Sequence, residues 1–369
     1  MVYVIFIFFT GYFIFLFMLW FGWSKAMLPA ERKTLNTHFL SVIIPVRNEA
    51  DTISFLIEDL KNQTHSSFEV IFVNDHSTDQ TAGVITEKIS GLVNFRMIIN
   101  AGAGKKHALT TGIAAAKGFI IITTDGDCRL SKEWLSEVNN GFANHEVKMV
   151  FGAVRMRSNG FFFGSLQVHE FASIIGTGAA AHALGMALYC NGANLAFRKE
   201  TFLEVNGYAG NLHIASGDDE FLMRKIKTIY PKGILFLNTS ESIVETLPNS
   251  DLLSFLHQRI RWAGKWRLAP SLSKVTAIGV FLFHLLFLGC LAWLCIGNYP
   301  TLLPVLILVK IFAEFIFLFK VCMFLNVRWR TFHFLILQVT YSVYVVTIGM
   351  LANFMTFTWK GRATVGSVR

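Results

Sequence analysis

Four short polar segments recur along the chain, and each carries side chains that could do chemistry. They read VNDHSTD at residues 73–79, DGD at 125–127, GDDE at 217–220 and QRIRW at 258–262. Asp125 and Asp127 stand on one short turn. Hard cations such as Mg²⁺ and Mn²⁺ take oxygen ligands of this kind, often only one or two carboxylates plus substrate phosphates. Any one segment could be an ordinary turn or a helix surface, but their joint order indicates a single site.

The third and fourth segments offer a base, a phosphate donor and a stacking surface. Asp218 or Asp219 could take the proton that a hydroxyl nucleophile must lose. Both also begin a predicted helix over residues 218–229, where the helix dipole stabilises acids, so a purely structural reason for them stays open. Arg261 can donate a planar pair of hydrogen bonds to phosphate oxygens. Trp262 offers an apolar face on which a sugar ring can stack.

The elements that position these segments alternate between strand and helix. Runs rich in β-branched residues predict strands at 40–46, 68–74, 95–100 and 119–124, with helical stretches between them. This alternation predicts a parallel, doubly wound α/β sheet. Ligands bind such sheets beyond the carboxyl ends of the strands, and polar residues follow three of them: Arg47, Asn48, Glu49, Asp75, Asp125 and Asp127. Turn formation explains any one of these residues but explains the set poorly.

Other nucleotide sites of such sheets are not favoured. Gly102 and Gly104 begin a dinucleotide fingerprint, but His107 stands where the third glycine is needed. No phosphate-binding loop of the G-x-x-x-x-G-K-[ST] type occurs, so neither NAD nor ATP is expected. The same glycines, with Lys105 and Lys106 at the start of a predicted helix, still offer backbone donors and positive charge to a diphosphate.

The composition predicts an integral membrane protein. Of the 369 residues, 53% are hydrophobic and 36 are Phe. Residues 2–23 are uncharged and long enough to cross a bilayer, and they lack the basic start and cleavage site of a signal peptide. Further spans are predicted at 275–296, 302–319 and 332–357. The middle one holds Lys310 and Glu314 four residues apart, which predicts an ion pair turned toward protein.

Charge predicts how the chain sits in the membrane. Lys25, Arg32 and Lys33 follow the first span, so residues 25–274 are expected in the cytoplasm and much of the net charge of +9 faces anionic lipid. Four crossings would then put the basic tail, residues 358–369, outside, although its charges favour the inside. Residues 252–268 mix apolar and basic side chains, which predicts an amphipathic helix on the membrane surface. The basic residues are scattered and no RNA- or DNA-binding motif accompanies them, so no nucleic-acid partner is expected.

Together the segments resemble those of the membrane-bound family 2 glycosyltransferases of the processive type, over about residues 38–270. The resemblance implies a GT-A (Rossmann-like) domain with a mostly parallel sheet at 38–250, the interfacial helix at 251–270, an N-terminal span within 1–24 and a C-terminal membrane region at 275–357. It further implies that Asp75 contacts the uridine, that Asp125 and Asp127 hold Mg²⁺ or Mn²⁺ with Asp125 also touching the nucleotide sugar, and that Gln258, Arg261 and Trp262 bind the acceptor or diphosphate.

Pro45, Asn48 and Glu49 resemble the family's first-strand nucleotide segment, and Lys106 is assigned with them to donor binding. Residues 191–199 resemble its acceptor-side segment. The base motif reads Gly-Asp-Asp where many members have Thr-Glu-Asp, so either Asp218 or Asp219 is the base, and the register with Leu222 favours Asp219.

The expected function is inverting transfer of a sugar from a UDP-sugar to a saccharide or lipid-linked acceptor, at the cytoplasmic face of a bacterial-type cell membrane. The product is either a polysaccharide or a single sugar added to a lipid carrier or glycolipid. Four spans are few for a polymer channel, so a polysaccharide synthase would need a homo-oligomer or an accessory export subunit. A metal-dependent membrane hydrolase is disfavoured because a second metal cluster of His and Asp is missing. A transporter or binding module is disfavoured because the acids lie outside the spans.

Overall fold

A computed structural model describes residues 2–29, 37–158, 160–212, 214, 216–352, 357–359 and 362–364. Its helices are α1 Val2–Ala26, α2 Ile53–Lys61, α3 Thr81–Lys88, α4 Lys105–Ala115, α5 Trp134–Gly141, α6 Phe162–Ala183, α7 Lys199–Glu204, α8 Asp218–Ile229, α9 Leu252–Ala263, α10 Ser271–Ile296, α11 Leu302–Phe324 and α12 Thr331–Leu351. Its strands are β1 Leu40–Val46, β2 Phe68–Asn74, β3 Phe95–Ile99, β4 Ile120–Thr123, β5 Met149–Gly152, β6 Val154–Met156, β7 Leu195–Arg198, β8 Ile234–Leu237, β9 Val244–Thr246, β10 Phe357–Trp359 and β11 Arg362–Thr364.

The central sheet has seven strands in the order β3-β2-β1-β4-β7-β5-β8. The first four are parallel, β7 runs antiparallel to both β4 and β5, and β8 is parallel to β5. This confirms the mostly parallel α/β sheet of GT-A type. The four predicted strands form within one residue of their expected bounds. Val42, Ile43 and Ile44 of β1 are fully buried, as expected for a strand that is covered on both faces.

A second, two-stranded sheet joins β6 to β9 beside the carboxyl end of β4. Arg129, two residues after the DGD turn, is tied to this small sheet because it forms an isolated antiparallel bridge with Glu245 of β9. Arg155 of β6 forms an ion pair with the same glutamate. These contacts anchor the turn that carries Asp125 and Asp127 to the side of the domain that faces the helices.

Helix α6 is absent from the elements predicted above. It is long and mostly buried, and it packs against α1, α11 and α12. Gly176 lets Phe317 and Val321 of α11 approach closely, and Gly22 of α1 lies against Ala180. The run of small residues at 176–181 weakens the apolar periodicity that would have indicated a helix. Helix α6 thus joins the sheet domain to the apolar helices.

Helices α1, α10, α11 and α12 are long and apolar enough to cross a membrane. They match the four predicted spans, although α11 runs on to Phe324 and α12 ends at Leu351. The Lys310–Glu314 pair is confirmed, with 3.0 Å between its charged atoms, and Lys310 is buried. Of the predicted basic tail only residues 358–359 and 362–364 are described, and Arg32 and Lys33 lie outside the described residues.

Candidate active site

Asp75, directly after β2, is buried and holds the glycine loop that precedes α4. Its Oδ1 accepts hydrogen bonds from Asn100 Nδ2 at 2.7 Å and from the Gly104 amide at 3.0 Å, and the same amide lies 3.1 Å from Oδ2. Gly104 has a φ of 94°, a conformation that favours glycine. The ends of β2 and β3 and the start of α4 therefore meet at one carboxylate.

The segment after β1 is locked to the segment after β2. Asn48 Oδ1 accepts a hydrogen bond from the Thr78 amide at 2.9 Å, and the Glu49 amide donates to Thr81 Oγ1 at 2.8 Å. Pro45 lies opposite Val73 in the strand register. The predicted nucleotide residues Pro45, Asn48, Glu49 and Asp75 therefore share one edge of the sheet, and their binding roles stay predictions.

The DGD turn follows β4 at the same edge. The amide of Cys128 donates to the carbonyl of Asp125 at 3.2 Å and closes the turn. A Cβ on Gly126 would lie 3.2 Å from Glu49 Cγ and 3.3 Å from Val46 Cγ1, so the turn packs tightly against the end of β1 at this position. Asp127 Oδ2 accepts a hydrogen bond from Thr246 Oγ1 at 3.3 Å, which orients the second carboxylate of the turn.

Lys105 joins the second polar segment to the third. Its Nζ lies 2.6 Å from Asp125 Oδ1 and 3.8 Å from Asp218 Oδ2. Burial alone would lower the pKa of Lys105, but the charges of Asp125 and Asp218 outweigh burial and raise that pKa above its usual value. The lysine is therefore a cation fixed between two acids that are distant in the sequence.

The neighbouring acids Asp218 and Asp219 at the start of α8 differ in electrostatics. Burial and the charge of Asp218 raise the pKa of Asp219 to about 6. Burial also opposes ionisation of Asp218, but the charges of Lys105, Lys106 and Lys265 and a backbone hydrogen bond together hold the pKa of Asp218 below its usual value. Environments that push two pKa values apart separate an acid–base group from a permanently charged one. Of the two carboxylates, Asp219 is thus the one whose pKa is raised toward the range of an acid–base group.

The loop before β7 supplies backbone contacts to the same acids. The Gly192 amide donates to Asp219 Oδ2 at 3.0 Å, and Thr123 Oγ1 donates to the Gly192 carbonyl at 2.6 Å. A Cβ on Gly192 would lie 3.0 Å from Asp218 Oδ2. The sequence likeness of residues 191–199 gave no individual role to this glycine. The structure places it between the end of β4 and both acids.

The QRIRW segment lies on α9, where two of its polar side chains are bound inside the protein. Gln258 Oε1 accepts from Asn249 Nδ2 at 2.9 Å and from Arg259 Nη1 at 2.6 Å. Arg259 forms a two-pronged ion pair with Glu170 of α6 at 3.1 and 2.5 Å, and its guanidinium lies 4.3 Å from the ring centroid of Trp262. Arg259 and Glu170 were missed from the sequence. In the sequence, the signal for this pair is the single acid Glu170 in the mostly apolar stretch over residues 161–181.

Arg261 brings the fourth segment to the acids. Burial lowers the pKa of Arg261, and the negative charges of Asp218, Asp125 and Asp219 partly oppose that shift. Ser216 Oγ donates to the Arg261 carbonyl at 3.4 Å, which ties α9 to the loop before α8. The arginine therefore belongs to the same charged cluster as Lys105.

Lys106 is oriented differently from Lys105. Its Nζ donates to the Asn211 carbonyl at 2.6 Å and lies 5.2 Å from the centroid of the Phe221 ring. Burial lowers the pKa of Lys106 to about 8. Its assignment to donor binding stays a prediction, and the structure puts Lys105 between the carboxylates instead.

The donor set fits a divalent ion that is shared with a substrate. Asp125 and Asp127 present carboxylate oxygens from one turn. Among the described residues there is no group of three or more His, Cys, Asp or Glu side chains that could hold a metal by themselves. Mg²⁺ is commonly bound by one or two carboxylates plus substrate phosphates, so the pair suits an ion that arrives with a diphosphate.

Residues 41–206 match the protein family Glycosyl transferase family 2. Glycosyltransferase AglE of Haloferax volcanii is 33% identical over 119 residues, which is 31% of this chain and 39% of the relative. The poly-beta-1,6-N-acetyl-D-glucosamine synthase of Staphylococcus epidermidis is 27% identical over 172 residues, or 46% of this chain and 41% of the relative. The matches thus span about two fifths of the length of these curated relatives.

The fold is shared over nearly the whole chain with a solved structure, the mannosyltransferase PcManGT from Pyrobaculum calidifontis in complex with GDP-Man and Mn²⁺. The TM-score is 0.58 at 16% identity, covering 95% of this chain and 99% of that one. At this identity the likeness establishes the fold alone. With the sheet order, it shows a GT-A fold, within which residues 41–206 match the Glycosyl transferase family 2 model.

Proposed function

We propose that the chain transfers a sugar, with inversion, from a UDP-sugar to a saccharide or lipid-linked acceptor at the cytoplasmic face of the membrane. The observation that carries this proposal is the position of Lys105, whose ammonium lies 2.6 Å from Asp125 and 3.8 Å from Asp218. That contact joins a predicted metal-binding acid and one of the two candidate bases in one cluster of charged side chains. Gly192 and Arg261 adjoin the same cluster from two further elements.

The donor half lies at the carboxyl ends of β1, β2 and β4. Asp75 and the segment of Pro45, Asn48 and Glu49 would hold the nucleotide. Lys106 is proposed to bind the nucleotide sugar in the same half of the site. Asp125 and Asp127 would hold Mg²⁺ or Mn²⁺. A bound divalent ion neutralises the charge that develops on the leaving diphosphate. Lys105 and Arg261 add fixed positive charge where that diphosphate would lie.

The base in this proposal is Asp219. A pKa of about 6 leaves it ionised at neutral pH, yet basic enough to accept a proton from an attacking hydroxyl. Asp218 would stay ionised beside Lys105 and position that lysine. In a single displacement the acceptor oxygen bonds to the anomeric carbon, the bond from that carbon to the diphosphate breaks, and the hydroxyl proton passes to Asp219.

The acceptor half lies toward the apolar helices. Gln258 and Trp262 stand on α9, which α6 fixes through Arg259, so the acceptor would approach from the membrane side. The acceptor is either a growing polysaccharide or a lipid-linked glycan that receives one sugar. The names of the two curated relatives give one example of a polysaccharide synthase and one of a general glycosyltransferase. Polymer synthesis would add a homo-oligomer or an export subunit as partner.

A donor screen on the purified full chain in detergent tests this function. We expect release of a nucleoside diphosphate from UDP-sugars that depends on Mn²⁺ or Mg²⁺ and increases with added acceptor, and that GDP-sugars support poorly. Product length with a radiolabelled donor separates polymer from single transfer. Absence of nucleotide release from every donor, or release of inorganic phosphate from phosphomonoesters instead, would contradict the proposal.

A further inference from the structure

A largely apolar cavity of about 680 Å³ lies among α1, α6, α10, α11 and α12. Each of these helices contributes apolar wall residues, among them Leu19, Ala181, Val280, Phe317 and Val345. Four of the five helices are long and apolar enough to cross a membrane. The cavity therefore lies largely within the apolar helices, outside the sheet domain.

One end of the cavity lies on the side of the candidate active site. Glu170 lines the wall and also binds Arg259, the neighbour of Gln258. Met186 and Leu188 line it as well, and the chain runs on from them to Gly192, whose amide donates to Asp219 at 3.0 Å. A molecule in the cavity would thus have one end close to the proposed base.

The cavity also opens sideways between α1 and α10. A groove of about 340 Å³ between these helices shares Tyr12 and Thr276 with the cavity wall. At Gly11 and Gly279, which line this groove, no atom lies within 4 Å of where a Cβ would stand. Leu272 lines the cavity and is still 62% exposed. The opening therefore faces the surface that membrane lipids cover.

Several polar groups of the cavity wall already have hydrogen-bond partners within the protein. Lys310 binds Glu314 at 3.0 Å and donates to Gln338 at 2.9 Å, and Tyr12 donates to Glu314 at 2.7 Å. His284 Nδ1 lies 2.9 Å from Ser342 Oγ, and its Nε2 has no partner among the described atoms. One such nitrogen cannot serve the many hydroxyls of a glycan chain, whereas a hydrocarbon chain needs no polar partner.

We propose, resting on the function proposed above, that this cavity holds the hydrocarbon chain of a lipid acceptor. The chain enters from the bilayer between α1 and α10, and the lipid's reactive head lies at the Glu170 end, near Asp219. The occupant proposed for the groove and cavity is a single long chain, such as the polyprenyl chain of a lipid-linked saccharide, whose sugar hydroxyl is the nucleophile that Asp219 deprotonates. The acceptor would then stay in the membrane while the donor binds from the sheet side.

Photolabelling in vesicles tests this inference without any donor sugar. The full chain is reconstituted in phosphatidylglycerol vesicles with a polyprenyl phosphate that carries a photoactivatable group along its chain. We expect labelled peptides from α1 and α10, and excess unlabelled polyprenyl phosphate should reduce this labelling by about tenfold or more, as for a specific site. Labelling that diacylglycerol or extra phosphatidylglycerol reduces equally well would overturn the inference.

Glycine substitutions provide the matched comparison. Gly279→Phe fills the opening and should reduce the specific labelling on the order of tenfold. Gly289→Phe places the same side chain on the same helix, where a Cβ also meets no atom within 4 Å and which lines neither cavity nor groove. It should keep the labelling. Gly11→Phe is the second blocking variant if Gly279→Phe does not elute as a single folded species, and equal labelling in the blocking and control variants would refute the proposed path.

Failure here is distinguishable from failure of the proposed function. Nucleotide release from UDP-sugars with a water-soluble saccharide acceptor reports transfer and needs no lipid chain. Active protein without specific photolabelling would reject the lipid path alone. Specific photolabelling in protein that releases no nucleotide from any donor would reject glycosyl transfer and keep the cavity as a lipid site.

Discussion

The guanidinium of Arg259 is clamped on the carboxylate of Glu170 by two contacts, at 3.1 and 2.5 Å. Both side chains are almost fully buried, at 1% and 4% exposure. The pair fixes α9, with Gln258 and Trp262, on α6. Because Glu170 also lines the apolar cavity, this one ion pair stands where the catalytic domain meets the helices predicted to span the membrane.

We expect Arg259→Ala to destabilise the protein by about 3–5 kcal/mol, because it leaves the buried charge of Glu170 uncompensated. The double variant Arg259→Met/Glu170→Met should recover most of that loss, since apolar side chains of similar volume tolerate the site. Thermal unfolding in detergent measures both. The exposed Arg157→Ala is the control and should unfold like the wild type. A double variant no more stable than Arg259→Ala would argue against the ion pair as the cause.

Asp219→Asn should lower kcat for sugar transfer by about 10²–10⁴-fold, the usual contribution of a general base. Donor affinity should stay close to the wild-type value, because the amide keeps the size of the carboxylate and can still accept from Gly192. Initial rates and nucleotide-sugar binding are measured on the same preparation. Glu200→Gln, at a side chain that is 74% exposed, serves as control. Turnover retained in Asp219→Asn would remove Asp219 from the role of base.

The pH profile of kcat should carry an acid limb near pH 6. In the proposed mechanism Asp219 accepts the proton only when it is ionised, so kcat should increase as the pH rises through about 6. Asp218→Asn removes the negative charge that helps to raise the pKa of Asp219. We therefore expect its limb to move to lower pH. A limb that stays in place or moves upward would show that another group controls it.

Lys105→Ala and Lys106→Ala should fail in different ways. The ion pair of Lys105 with Asp125 is partly exposed, so Lys105→Ala should change the free energy of unfolding little. The same variant should lower kcat/KM for the donor by about tenfold or more, because the diphosphate loses a fixed cation. Lys106→Ala should also weaken donor binding, but it leaves the Asn211 carbonyl without its buried donor and should in addition destabilise the protein by about 1–3 kcal/mol. Melting temperatures and donor kinetics are compared in parallel. The reverse pattern would contradict the distinction.

Chelation with EDTA should abolish nucleotide release, and either Mg²⁺ or Mn²⁺ should restore it. Asp127→Asn should raise the metal concentration needed for half-maximal activity by roughly tenfold, equivalent to about 1.4 kcal/mol of binding. Asp59→Asn is unsuitable as control because Asp59 pairs with Arg129 beside the turn, so the exposed Glu200→Gln is used again. Activity that persists after chelation would contradict metal use.

Much of the frame follows from local sequence. Apolar β-branched runs that are followed at once by polar residues predict parallel strands whose carboxyl ends carry Asp75 and Asp125, and β1, β2 and β4 confirm it. Long uncharged stretches predict apolar helices, and α1, α10, α11 and α12 confirm them. These features depend on hydrophobic period and length, which a short window of sequence contains.

Contacts between distant elements required the tertiary structure. Adjacent residues on a helix point about 100° apart, so the fold decided that Lys105 lies between the acids while Lys106 turns to Asn211. The same holds for Asp218 and Asp219, whose pKa values diverge because burial and the Asp218 charge raise that of Asp219, while Lys105 lies beside Asp218 and helps to lower its pKa. Helix α6 and its Glu170–Arg259 pair also escaped the sequence, since a buried charge is recognisable only with its partner. The hydrophobic period of the sequence determines which helix or strand carries a side chain. Packing between distant elements determines which groups that side chain contacts.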